Sequence, residues 1–98
     1  MYLIRETFHT KPGKAKELVR MMKEAIPHLE KTEGGKNYRI MTDITGDYWT
    51  VVMDLEVDEI GAFITGLRQS TASPELKEIL KGYTDLIVSG SRSIFIIE

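Results

Sequence analysis

Residues 36–57, KNYRIMTDITGDYWTVVMDLEV, decide the fold because two alternating segments follow one another across a short polar turn. Lys36 to Thr45 alternates apolar with polar positions, and Asp47 to Val57 does the same. Alternation with a period of two is typical of half-buried β-strands. The turn Thr45-Gly46-Asp47 includes a glycine, which adopts a positive φ easily. The sequence therefore predicts a β-hairpin in the middle of the chain.

A long amphipathic helix is predicted before the hairpin. Apolar residues recur three and four positions apart between Ala15 and Leu29, which indicates a helix from about Pro12 to Thr32. Pro27 lies inside this segment and has no amide hydrogen to donate, so we expect the helix to kink or to end early there. The glycine pair Gly34-Gly35 then separates the helix from the hairpin.

A second helical region, in two parts, is predicted after the hairpin. Asp58 is the expected N-cap of a short helix, which Ser70-Thr71-Ala72 interrupts. Ser73-Pro74 begins the next helix, because a capping residue followed by proline is typical of a first helical turn. The apolar stripe of this last helix extends to Ile87. Both parts together occupy the position of one crossover between two strands.

A strand is predicted towards each end of the chain, over Tyr2 to Thr10 and over Arg92 to Ile97, with a stop at Ser89-Gly90-Ser91 before the second. The order of elements is then β-α-β-β-α-β, in a single domain over residues 1–98. This order predicts the α+β class and a ferredoxin-like sandwich. In that fold an antiparallel four-stranded sheet carries its helices on one face.

The two faces of the predicted sheet differ in composition. The sheet face that points away from the helices mixes apolar side chains with polar ones such as Arg5, His9 and Asp54. Such a mixture is typical of the lining of a cavity. One sheet cannot close a cavity, so we expect a second copy of the chain to pack against this face as a C2 homodimer. The face expected under the helices is apolar, with the carboxylate Glu6 as the exception that needs a partner. Its expected members are Ile4, Phe8, Tyr38, Ile40, Ile44, Trp49, Val51, Met53 and Leu55.

Composition argues against several kinds of site. The chain has no cysteine, which excludes disulfides, thiolate zinc sites and thiol nucleophiles. The apolar run Ile94–Ile97 is far shorter than the roughly 20 residues of a membrane helix, so we expect no membrane association and a cytoplasmic protein. A net charge of −2 with a weak basic footprint disfavours nucleic-acid binding. The two histidines lack a metal-binding spacing, and no metal or other cofactor is expected.

Two short segments carry a family resemblance, FHTKPGK at Phe8–Lys14 and VSGSR at Val88–Arg92. Together with the order of elements, they resemble the dimeric α/β-barrel superfamily, which includes NIPSNAP-like proteins and the antibiotic-biosynthesis-monooxygenase (ABM) type. The resemblance implies a homodimer whose two sheets form a barrel with interior cavities. Such families include cofactor-independent monooxygenases of phenolic or quinol compounds, haem-degrading enzymes, and members without known activity. The haem-degrading pattern does not match, because its Asn, Trp and His would fall on Asn37, Trp49 and His28, which are displaced.

Six residues are candidates for a site on the face away from the helices. His9 is the candidate catalytic residue, because an imidazole can take or give a proton near pH 7; the alternative is a solvent-facing strand end. Arg5 and Arg39 could hold an anionic or phenolate oxygen, or could instead pair with Asp54, Glu56 or Glu6 across the sheet. The predicted substrate-binding residues are Arg5, Asn37, Arg39, Tyr48 and Asp54.

Three functions remain open at the level of sequence. In the first, a dimer binds a small aromatic or largely apolar molecule in a cavity on the sheet face away from the helices. In the second, the protein is a cofactor-independent monooxygenase in which His9 accepts a proton and Arg5 or Arg39 holds the substrate oxyanion. In the third, the dimer is structural or binds a partner, and its cavity is filled by its own side chains.

Overall fold

The computed structural model describes residues 1–98 and confirms the α+β ferredoxin-like fold. The sheet has the strand order β2-β3-β1-β4, and every neighbouring pair is antiparallel. The helices cover one face of this sheet, and the other, which we call the open face, carries none. The elements are β1 (Tyr2–Thr10), α1 (Ala15–Glu33), β2 (Lys36–Thr42), β3 (Thr50–Val57), α2 (Ile60–Ala72), α3 (Pro74–Ile79) and β4 (Ile87–Ile96), with a 3-10 turn at Tyr83–Asp85.

The hydrophobic core lies between the helices and the sheet. Strands β1 and β3 supply one wall of the core, and α1 supplies the other through residues spaced three and four apart, as the sequence predicts. Each large apolar side chain that leaves water here contributes about 1.5–3 kcal/mol. The buried apolar residues are Ile4, Leu18, Met22, Ala25, Leu29, Val51, Met53, Leu55, Val57, Phe63, Leu76 and Leu86.

The first helix continues through Pro27 to Glu33, so the expected early end is wrong. Pro27 is exposed, and water can therefore hydrate the carbonyl that lacks a helical hydrogen bond. The helix begins at Ala15 rather than near Pro12, and Gly34 ends it in the left-handed conformation with φ of 68°.

The hairpin connection is longer than predicted. Strands β2 and β3 are separated by residues 43–49, whose backbone is organised by Asp43. The Asp43 carboxylate accepts hydrogen bonds from the amides of Thr45 and Gly46 at 2.9 and 2.8 Å, an Asx-type turn. The positive φ in this connection belongs to Trp49, at 64°, and not to Gly46. Ile44 is 85% exposed, so its expected place under the helices is wrong.

The second helical region and the last strand also differ from the sequence prediction. Helix α2 has Glu59 rather than Asp58 as its N-cap, and it continues past the expected break to Ala72. Helix α3 ends at Ile79, and β4 begins at Ile87, so the predicted stop at Ser89-Gly90-Ser91 lies inside a strand. Continuous pairing of β4 with β1 overrides the local turn preference of these small residues.

Helices α1 and α2 touch at Gly66. A Cβ atom at this position would lie 2.5 Å from Glu33 Cα and 2.6 Å from the Thr32 carbonyl oxygen. Only a residue without a side chain allows the two backbones to come this close. The contact fixes the last turn of α1, and with it Glu33, against the middle of α2.

Candidate functional site

Three of the predicted site residues meet on the open face of the sheet. Asp54 on β3 lies directly across from Arg5 on β1 and Arg39 on β2. Arg5 donates two hydrogen bonds to the Asp54 carboxylate, at 2.8 and 2.9 Å, and Arg39 lies 3.9 Å from it. The Asp54 side chain is almost completely buried, and its hydrogen bonds with Arg5 raise the pKa of that guanidinium. The arrangement is a paired cluster whose carboxylate is already saturated by its neighbours.

The other three predicted residues lie apart from this cluster. His9 is four positions along β1 from Arg5, roughly 13 Å for an extended strand, and its Nδ1 lies 3.3 Å from Thr50 Oγ1. Asn37 lies near the beginning of β2 and donates a hydrogen bond to Glu56 at 3.1 Å. Tyr48 lies in the 43–49 loop, where its side chain is 79% exposed. The structure therefore does not gather the six residues into one site.

A cavity that the sequence analysis did not anticipate lies on the opposite, helix-covered face. It has a volume of about 430 Å³ and is bounded by the sheet and by α1, α2 and α3. Most of its lining is apolar, and four acidic or basic side chains, Glu6, Glu33, Lys77 and Arg92, reach it from different elements, with Lys77 exposed at the rim. An apolar cavity with a few converging polar groups is the usual form of a small-molecule site. The apolar lining consists of Phe8, Met22, Leu29, Met53, Leu67, Leu76, Leu80 and Tyr83.

The partner of Glu6 in this cavity, which we call the helix–sheet cavity, is Arg92. The two residues lie opposite each other on β1 and β4, and Arg92 Nε donates a hydrogen bond to Glu6 Oε1. The Arg92 guanidinium also lies over the Phe63 ring, 5.6 Å from its centre, as in a cation–π interaction. The sequence contained a signal for this pair, because Glu6 was the one carboxylate on an apolar face and required a partner.

Glu33, at the end of α1, is the least expected member of the cavity wall. Its side chain is buried, with 7% of the residue exposed, and it accepts a hydrogen bond from Ser70 Oγ at 3.3 Å. Burial raises the pKa of Glu33 to about 7, and the negative charge of Glu6 adds to this rise, while Ser70 and Arg92 oppose it. The spacing of the buried stripe on α1 does reach this residue, because Glu33 follows Leu29 by four positions, but it is a carboxylate beyond the predicted end of the helix and was therefore not singled out.

Tyr38 borders the same region from β2. Its hydroxyl is buried and has no hydrogen-bond partner in the protein. Burial and the nearby Glu33 carboxyl both raise the pKa of Tyr38, so the hydroxyl keeps its proton. A perturbed carboxyl group that lines a cavity, beside a buried hydroxyl, is the kind of cluster found at functional sites.

Two further features of the chain bear on its chemistry. No group of three or more His, Asp or Glu side chains is arranged so that it could hold a metal ion. None of the helices combines the length and the apolar composition that crossing a membrane would require.

Comparison with known proteins identifies the fold. No family model and no curated protein matches the sequence. By structure, the chain is similar to a NIPSNAP family protein from Agrobacterium tumefaciens, with 13% identity, a TM-score of 0.85, and coverage of 99% of this chain and 85% of that one. It is also similar to an uncharacterized NIPSNAP domain protein from Burkholderia xenovorans, with 13% identity, a TM-score of 0.83, and coverage of 100% and 95%.

A third similar structure is that of a candidate monooxygenase. It is a candidate antibiotic biosynthesis monooxygenase from Deinococcus radiodurans, with 13% identity, a TM-score of 0.71, and coverage of 100% of this chain and 93% of that one. These similarities confirm the NIPSNAP-like and ABM-like fold that the sequence resemblance implied. At such low identity, they carry no information about which side chains act in each protein.

The raised pKa of Glu33 predicts that Glu33→Gln stabilises the fold above pH 7 by about 1–3 kcal/mol and changes little below pH 4.5. Because the ordinary pKa is 4.5 and the folded value is about 7, the folded chain holds a proton between these values that the unfolded chain has lost. The unfolding free energy of the wild type therefore falls as pH rises from 4.5 to 7 and stays low above that. Glutamine cannot ionise and avoids this loss.

Urea unfolding at pH 4.5 and pH 8 measures this effect. Glu30→Gln is the matched control, because Glu30 lies on the same helix and is exposed. If the two substitutions change the free energy of unfolding equally at pH 8, Glu33 does not have the raised pKa of a buried carboxyl group.

Proposed function

We propose that this protein is a homodimer that binds a small, largely apolar molecule, and that the molecule occupies the helix–sheet cavity. The observation that carries this proposal is the convergence of Glu6, Glu33 and Arg92 on a mainly apolar cavity of about 430 Å³. A volume of this size suits a ligand with one or two rings. The apolar walls would supply the binding free energy, and the polar groups would orient one end of the ligand.

The open face supports a different role, as the interface between two copies of the chain. Its central charges, Arg5 and Asp54, already satisfy each other, so they offer little to a ligand. Two large apolar side chains on this face, Met41 and Phe95, expose much of their surface in the single chain. A second sheet packed against them would remove this surface from water. Two sheets packed in this way would form a barrel, and the ligand cavity that the sequence analysis expects inside it stays a prediction. The cytoplasmic location also stays a prediction.

Blocking the mouth of the helix–sheet cavity is expected to abolish binding of the uncharged fluorescent probe N-phenyl-1-naphthylamine. Thr71 lies at the exposed rim of the cavity on α2, and a Thr71→Trp side chain would fill the entrance without entering the core. Gln69→Trp is the matched control, since Gln69 is exposed on the same helix and does not line the cavity. Fluorescence titration should show binding to the wild type and to the control, and at least a tenfold loss in the Thr71 variant. Equal binding to all three proteins would place the probe elsewhere and refute the proposal.

The proposed interface predicts that light scattering gives twice the mass of one chain. The double substitution Met41→Lys and Phe95→Lys introduces charges into the apolar part of the open face and is expected to yield a monomer. Ile64→Lys is the control, because it places a positive charge at an exposed apolar residue of α2, away from the open face. A monomeric wild type, or a dimer that survives the double substitution, would reject this interface.

A second candidate function is cofactor-independent monooxygenation of a phenolic or quinol compound, which the structural similarity to a candidate antibiotic biosynthesis monooxygenase favours. In this proposal His9 accepts the substrate proton, and Arg39 binds a second polar group at the far end of the substrate, because Arg5 is engaged by Asp54 and the arginines lie roughly 13 Å or more from His9. Asn37 and Tyr48 complete the proposed substrate contacts. Oxygen uptake with a quinol should fall at least 100-fold in His9→Ala and stay unchanged in His28→Ala. If oxygen uptake by the His9→Ala variant is unchanged, His9 is not the residue that accepts the substrate proton.

A further inference from the structure

The contacts around Glu33 come from neutral hydroxyl groups and not from a cation. Ser70 Oγ donates a hydrogen bond to Glu33 Oε1 at 3.3 Å, and Ser70 Oγ lies 2.7 Å from Thr32 Oγ1. Thr32 Oγ1 also lies 3.1 Å from the His28 carbonyl oxygen. One long hydrogen bond from a neutral donor compensates poorly for the water that a buried carboxylate has lost. The geometry therefore favours a neutral carboxylic acid.

The charged groups that face Glu33 leave it without an ionic partner. Arg92 is hydrogen-bonded to Glu6, so the nearest positive charge is already neutralised. Lys77 lies at the cavity rim and is exposed to solvent. Strand β2 contributes the neutral hydroxyl of Tyr38, and α2 contributes only the hydroxyl groups of its Ser and Thr residues. Ionised Glu33 would add a negative charge to a wall on which Glu6 and Arg92 cancel and the exposed Lys77 is hydrated at the rim.

We propose that ligand binding in the helix–sheet cavity is coupled to protonation of Glu33, and that the cavity selects uncharged ligands over anionic ones. This inference rests on the proposed function and adds to it the charge class of the ligand and the regulation of binding by pH.

Coupling follows from the water that the ligand displaces. An apolar molecule in the cavity removes water from the exposed part of the Glu33 carboxyl group, which makes its ionised form less favourable still. Binding and proton uptake must then favour each other, by linkage. An anionic ligand gains little compensating attraction, because Glu6 occupies the Arg92 guanidinium and the Lys77 ammonium group is exposed to water at the rim. A cationic ligand would pair with ionised Glu33 and would reverse the pH dependence.

Two probes with the same ring system test both parts of the proposal. N-phenyl-1-naphthylamine is uncharged, and 1-anilinonaphthalene-8-sulfonate adds one sulfonate to the same skeleton. For the wild type, affinity for the uncharged probe should fall about tenfold between pH 6 and pH 8, as one linked proton with a pKa near 7 requires. The sulfonate should bind at least tenfold more weakly than the uncharged probe at pH 6.

Two variants assign the pH dependence to Glu33. Glu33→Gln should bind the uncharged probe with the same affinity at pH 6 and pH 8, because glutamine imitates the protonated acid. Glu30→Gln should keep the tenfold fall, since the residue is exposed on the same helix. Circular dichroism at both pH values verifies that each protein is folded.

A measurement on the unmodified protein provides a second readout. The side-chain carboxyl ¹³C shift of Glu33 titrates with its protonation, and saturation with the uncharged probe should raise its midpoint by at least one pH unit. An unchanged midpoint would refute the coupling without any substitution.

The outcomes separate the inference from the proposed function. If neither probe binds, or if Thr71→Trp leaves binding intact, the proposed function fails and the inference fails with it. If the uncharged probe binds in the cavity with an affinity that is independent of pH or rises with pH, only the inference is overturned. If the sulfonate probe binds as tightly as the uncharged probe at pH 6, only the proposed selection of uncharged over anionic ligands is overturned.

Discussion

The register of β1 against its two neighbours is the constraint on which the rest of the structure depends. Two consecutive residues of β1, Arg5 and Glu6, point to opposite faces, and each finds an opposite charge across the sheet. Arg5 meets Asp54 on β3, and Glu6 meets Arg92 on β4. A slip of one residue would exchange the faces and separate both pairs. In each pair the carboxylate is largely buried while the arginine side chain is 41% or 42% exposed, so the charges help to specify the register together with the apolar side chains.

The same register divides the sheet into two faces with different chemistry. On the open face, the paired charges lie at the centre, and their hydrogen bonds are satisfied within the chain. On the helix-covered face, the pair formed by Glu6 and Arg92 lies at the wall of a cavity and is joined there by Glu33. The first arrangement suits burial against another surface, because nothing in it needs a further partner. The second leaves polar groups facing an empty apolar space, which suits a ligand.

The fold was predictable because its signals are local and periodic. Alternation in β2 and β3 and the three-to-four spacing in α1 are properties of consecutive residues, and each predicted the correct type of element. The element boundaries were less predictable where long-range pairing decides them. Ser89, Gly90 and Ser91 form a turn by local preference, yet pairing with β1 makes them part of β4. Similarly, Pro27 ends a helix by local preference, yet the apolar stripe on either side of it packs as one surface.

The cavity was less predictable because its polar groups come from three distant parts of the chain. Glu6 could be singled out by its apolar face, and Arg92 followed only once strand order placed β4 beside β1. Glu33 follows Leu29 at the spacing of the apolar stripe, but its burial depends on the close approach of α1 to Gly66.

That contact holds the Cα of Glu33 against the α2 backbone, and the side chain is buried, where a glutamate near a helix end is usually exposed. Protonation is the response that leaves the packing intact, and the carboxyl group therefore meets a change in the cavity by gaining or losing a proton.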